Sequence, residues 1–372
     1  MKASPSFRHV LVGATGMMLL FLACAPVQSQ QSTQTLDVSP SGNDSYAVSQ
    51  ADDIKQHARP AHTPAAKDAR PSEISNLHSS LPGWAGPPAP DSGGPRFPAD
   101  LQYHGGAVVQ SVQQHLIFVN LSKSTSCHTV TTCWGDPYGF LRDLGESNFI
   151  HVTDQYVDSH MDGRYTVSPV GVNVTYPVGP HPFTDHDMLT IVHAVASILG
   201  TGTGYGNLYH VFLLPGQDEC FDSTYTVCYS PDKPASFIFC AYHGSATFKD
   251  IGHVLYSVEP FQDVDGCAVR AGTPNGQLAD STNNVLSHET FETITDPDGT
   301  AWWNSLDNGL YGQEIGDECS FLLFSNTGAF LGFDPSDVTL NGKKYVAQPE
   351  YNNNSNACTT RPSGLGFGFG NS

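Results

Sequence analysis

The stretch "SHETFETITDP", residues 287 to 297, carries one imidazole and three carboxylates, with no lysine or arginine among them. On a helix from Val285 to Asp296, at about 100° per residue, His288, Glu289, Glu292, Thr295 and Asp296 fall within an arc of about 120°, while Leu286, Phe291 and Ile294 point elsewhere. Pro297 ends the helix, because proline disfavours helical geometry in the residue before it. The histidines of an HExxH helix hold zinc from one face at this same spacing. The motif here is HExxE. His288 and Glu292 are the candidate metal ligands, and Glu289 is the candidate general base on a zinc-polarised water. Glu292 in place of a second histidine keeps an oxygen ligand but adds negative charge, which lowers the Lewis acidity of the metal.

Catalytic zinc commonly has three protein ligands and one open position, so a third donor is needed. In "YGQEIGDECSF", Glu314 follows Glu292 by 22 positions. That separation is similar to the one in thermolysin-like gluzincins, and it makes Glu314 the candidate third ligand. Asp317 and Asp296 are candidates to hold the ligands in orientation from behind, and His243 is a reserve ligand. Trp302 and Trp303 are candidates for a substrate wall, with core packing as the alternative. Two other readings stay open. The acidic helix and the Asp-Pro-Asp-Gly turn after it suit a structural calcium ion, which prefers oxygen ligands. A solvated helix face looks the same with no metal, although its unbalanced carboxylates would repel one another without a cation.

These residues need elements to position them. "HLIFVN" (115 to 120), "LYHVFLL" (208 to 214), "SFIFCAY" (236 to 242) and "HVLYSV" (253 to 258) are short β-branched and aromatic runs and predict strands. "VTLNGKKYV" predicts a hairpin turning at Asn341-Gly342. "DHDMLTIVHAVASIL" has helical spacing, with Thr184 and Asp187 placed for a capping box, so its Asp-His-Asp cluster reads as capping in preference to a metal site. The fold class expected is α+β: one disulfide-stabilised globular domain with a mixed sheet and a few helices, the HExxE segment forming a zincin-like active helix.

The domain layout expected is a signal peptide at 1 to 29, a disordered linker or propeptide at 30 to 98, a globular domain at 99 to 360 and a Gly-rich tail at 361 to 372. Lys2 and Arg8 before the apolar run Val10 to Ala25 have the layout of a secretory signal. Cys24 is a candidate lipid anchor, and no later run is long and apolar enough for a membrane span. Residues 30 to 98, rich in Ser, Pro, Gln and Ala, offer little apolar surface to offset the entropy of ordering. Eight cysteines follow the signal region: Cys127, Cys133, Cys220, Cys228, Cys240, Cys267, Cys319 and Cys358. An even number in an exported chain predicts disulfides, and sequential pairing is expected because the first three closures are short. The localisation expected is secreted, extracellular or periplasmic. The formal charge of −20 repels phosphate backbones and anionic membranes, which argues against nucleic acid as a partner. There is no GxSxG for a serine hydrolase and no GxxxxGK[ST] phosphate loop.

Together "YHGGAVV", "FCAYHG", "TPNGQLADSTNNVLSHETFETITDP" and "YVAQPEYNNNSNAC" resemble the EXORDIUM, or phosphate-induced protein 1, family of secreted proteins, and more closely its microbial members that carry an HExxE segment followed by "EIGDxC". The resemblance spans about residues 100 to 360. It implies an extracellular or cell-wall setting and kinship of fold. Plant members lack the pair matching His288 and Glu289, so the resemblance implies no reaction. The residues favour a secreted zinc-dependent peptidase acting on an extracellular peptide. The alternative is a non-enzymatic protein that holds calcium and binds a cell-wall polymer.

Overall fold

The computed structural model describes residues 33–68, 99–200, 204–306, 310–325 and 336–362. The signal segment with Cys24, most of the Pro-rich stretch before residue 99 and nearly all of the Gly-rich tail lie outside the described residues. The chain is a mixed α and β protein with several sheets. Its largest sheet contains β1 (Thr33–Asp37), β2 (Asp52–Pro60), β3 (Val112–Val119), β4 (Tyr165–Val167), β5 (Gly171–Thr175), β6 (Asn207–Phe212), β7 (Phe239–Phe248) and β8 (Gly252–Glu259). The order is β1-β5-β3-β6-β8-β7-β2, with β4 also on β3. Pairing is parallel from β1 through β8 and antiparallel for β7 with β8 and with β2.

The parallel strands are covered on both faces, which is why they read as continuous apolar runs. Ile117, Val119, Tyr209 and Val211 face one core with Met188, Ile191, Val192 and Val195. Those last four lie on α4 (Asp185–Leu199), which has the expected capping box between Thr184 and Asp187. Leu116, Phe118, Leu208 and Phe212 face a second core with Leu286, Phe291 and Ile294. Helices on that side include α2 (Val130–Trp134), α3 (Pro137–Gly145), α5 (Gln277–Thr295) and α6 (Ile315–Ser325). The hairpin turns at Asn341-Gly342, both at positive φ, and the disulfides pair sequentially as expected: Cys127–Cys133, Cys220–Cys228, Cys240–Cys267 and Cys319–Cys358. Among the described residues no helix is long and apolar enough to cross a membrane.

Three stretches differ from expectation. Residues 33–68, expected within a flexible linker, supply β1, β2 and α1 (Asn43–Val48). β2 lacks an apolar alternation because it pairs along β7 and points His57 and Arg59 into a buried polar cluster. β7 runs to Phe248 instead of stopping at Tyr242, since "HGSATF" interrupts the apolar run while staying almost wholly buried. α5 begins eight residues before Val285, after Gly276 at φ 88°. Its polar first turns are held by Asp280, which accepts from the Asn275 N–H (2.9 Å), Asn275 Nδ2 (2.8 Å) and Asn283 Nδ2 (3.2 Å).

On the α4 side of the sheet, the Tyr256 hydroxyl donates to Asp185 Oδ1 (2.7 Å), and the Tyr242 hydroxyl lies 2.9 Å from the same oxygen and 3.0 Å from Glu219 Oε1. Burial pushes Asp185 up to about 6 and Glu219 well above the carboxylate range. A carboxyl whose pKa is raised by folding favours the fold while protonated, and that contribution is lost as pH climbs from its ordinary value near 4 through about 6. Asp185→Asn keeps the acceptor oxygen without the charge. It should raise stability at pH 7 by about 3 kcal/mol and flatten the pH dependence between about 4 and 6. Thermal melts at the two ends of that window check this, and an unchanged slope in the variant would refute it.

Candidate metal centre

The HExxE helix is not a solvated face. His288, Glu289, Glu292 and Asp296 are each 0% exposed. An unpaired buried carboxylate costs several kcal/mol, so so many together need compensation. Three elements besides α5 contribute. β2 and β7 bring His57 and His243 opposite each other in register, with the rings stacked 5.7 Å apart. The start of α6 brings Glu314 and Asp317. Gly316 makes this approach available, because a Cβ there would lie 2.4 Å from His288 Nδ1 and 3.0 Å from Glu292 Oε1. Arg59 and Glu350 complete the electrostatic surroundings.

Glu292 is the pivot. Among the described residues it belongs to each of three donor groups able to hold a metal ion: His288 with Asp317, His243 with Glu289, and His57 with Glu314. Its Oε1 lies 3.1 Å from His288 Nε2 and accepts the Asp317 N–H at 3.1 Å. Asp317 Oδ1 lies 3.7 Å from His288 Nε2. Two donors on one tetrahedral zinc, each about 2.0–2.1 Å from the ion, are about 3.3 Å apart. The separations around His288 Nε2 bracket that value. His288 Nε2 and Asp317 Oδ1 have no hydrogen-bond partner, and buried polar atoms seldom go without one.

Electrostatics agree with this division. Burial raises Glu292, but His288, His243 and His57 outweigh it and hold its carboxyl well below the usual range. Glu289 is pushed well above its ordinary value by burial and then by Glu292 and Glu259. Glu314 moves the same way through burial, Asp296 and Glu292, and burial and Glu292 also raise Asp317. Burial pushes Asp296 up to about 6. Burial lowers His57, yet Asp317 and Glu292 together more than offset this and the imidazole ends above its usual value.

The sequence-derived site residues are placed as follows. His288 and Glu292 come together as expected, but the third donor beside them is Asp317, expected only to orient ligands. Glu314, the expected third ligand, lies 3.2 Å from His57 Nδ1 and 3.6 Å from His243 Nε2. His57 Nε2 donates to Asp317 Oδ2 at 2.6 Å, and the Asp317 Oδ1 left over faces His288. The reserve ligand His243 stands 3.5 Å from Glu289 Oε2 and 3.6 Å from Glu292 Oε2. Asp296 Oδ1 accepts the Ala301 N–H at 2.6 Å and ties off the turn after α5. Trp302 and Trp303 pair with Tyr103 and Gln102 in a two-stranded ribbon. There the Trp302 indole donates to Tyr156 O (2.8 Å) and Trp303 stacks on His104. His57, Arg59 and Glu350 were missed. Only a lone histidine in a polar stretch marks the first, and no periodicity points to it.

No family model matches the chain, and no curated protein or solved structure matches it either. The functional reading therefore rests on the residues themselves.

Proposed function

We propose that this chain is a secreted metal-dependent hydrolase, most specifically a zinc peptidase, with the ion held by His288, Glu292 and Asp317. The observation that supports it is the convergence of one imidazole nitrogen and two carboxylate oxygens at separations suited to one ion, with Nε2 and Oδ1 unpartnered. Zinc bound there would supply Lewis acidity, polarising a carbonyl and acidifying a water. Glu289, one residue along the same helix, has both carboxylate oxygens unpartnered and a raised pKa, which suits it to accept the proton of that water. His57 fixes Asp317 through its Nε2 bond. The helix, with its two ligands and base in zincin-like order, packs between the sheet and α6. The EXORDIUM-like segments fit an extracellular setting, and four disulfides suit an oxidising compartment.

One observation favours a second reading. All the donors are buried, so a peptide reaches them only after something moves, whereas a structural ion needs no path. In that reading the chain is a non-enzymatic, cell-wall-associated protein with calcium on the carboxylates. Elemental analysis of the purified protein and its His288→Ala variant, after dialysis against trace zinc and calcium, separates the two. Zinc bound by the protein and diminished in the variant, with cleavage in a peptide-substrate screen, is the expected result. Calcium retained by both, or no metal in either, would overturn the hydrolase reading.

A further inference from the structure

We infer that the centre holds two divalent cations bridged by Glu292, the second seated on His243 Nδ1, Glu289 Oε2 and Glu292 Oε2. This rests on the proposed metal centre and extends it. The two oxygens of Glu292 face different partners: Oε1 is 3.1 Å from His288 Nε2 on one side, and Oε2 is 3.6 Å from His243 Nδ1 on the other. Glu289 Oε2 lies 3.5 Å from His243 Nδ1. These two spacings around His243 are again those of donors sharing one ion, and longer than a well-formed hydrogen bond.

The hydrogen bonding of the same atoms fits this reading. His243 Nδ1, Glu289 Oε2 and Glu292 Oε2 are all buried and all lack a hydrogen-bond partner. On its other side the His243 ring is anchored, with Nε2 3.3 Å from the Asp296 carbonyl and 3.6 Å from Glu314 Oε2, so Nδ1 is turned toward the helix. A carboxylate that presents one oxygen to each of two such groups is the bridging arrangement of two-metal hydrolytic sites, whose ions sit about 3.5–4 Å apart. One imidazole and two carboxylates at each position suit zinc or manganese. Glu289 Oε1 stays unpartnered beside the second ion and free to take a proton.

The test is the stoichiometry of zinc, and separately of manganese, in the intact protein and in His288→Ala, His243→Ala and His243→Gln. Two ions per chain, falling to one in either His243 variant while His288-side binding persists, is the expected result. The manganese-loaded intact protein should give the exchange-coupled spin-resonance spectrum of a bridged pair, a readout that does not depend on any variant folding. One ion per chain with an isolated-manganese spectrum, retained in the His243 variants and lost in His288→Ala, would overturn the second position and leave the first intact. Absence of any metal from the intact protein would overturn both.

Discussion

Withdrawing divalent metal with a chelator should lower the melting temperature by on the order of 10 °C. An ion held at about a thousandfold above its dissociation constant contributes about 4 kcal/mol, and in a domain of this size each kcal/mol moves the midpoint by about 2–4 °C. The mechanism is specific to the centre: without the ion, Glu289, Glu314 and Asp317 remain buried beside Glu292, which itself raises the pKa of each. Differential scanning calorimetry of metal-loaded and chelated protein makes the measurement. Coincident melts would mean that the carboxyl cluster is neutralised without a cation.

Glu292→Gln should have the largest effect of any single substitution. Glutamine keeps a carbonyl oxygen to accept the Asp317 N–H, so the contact between α5 and α6 survives. It loses the negative charge common to all three donor groups. Metal content should fall to nothing, hydrolysis should fall by more than about 10³-fold, and the chelator-dependent shift in melting should vanish. By contrast, Glu289→Gln should retain the ion beside His288 while losing about 10²–10⁴-fold in turnover. Metal analysis and peptide cleavage assays on both variants decide this. An active Glu289→Gln protein would remove the proposed base, and a metal-replete Glu292→Gln protein would remove the centre.

Much of the site's helix was legible because its chemistry lies within a few turns. His288, Glu289 and Glu292 declare themselves by spacing, and Pro297 marks the end. The helix's beginning was not legible: "QLADSTNN" has weak helix propensity and becomes helical because Asp280 gathers the amides around it. The parallel strands were legible as apolar runs, since burial on both faces writes itself into the sequence. β2 was not, because its inward residues His57 and Arg59 are polar, and polar residues facing a buried centre look the same as polar residues facing water. That Asp317 and not Glu314 approaches His288 was hidden for a different reason. Asp317 lies in the first turn of α6 and Glu314 just before it, and the close approach at Gly316 is a matter of packing that spacing does not carry.

Two of the disulfides stand next to the proposed ligands. Cys240 precedes His243 by three residues, and Cys319 follows Asp317 by two. Cys240 lies in the core on the α4 side of the sheet, so Cys240–Cys267 fastens the strand bearing His243 without entering the polar cluster, and Cys319–Cys358 fastens the helix bearing Asp317. Covalent closure on both elements limits how far His243 and Asp317 can drift from α5, whatever occupies the space between them.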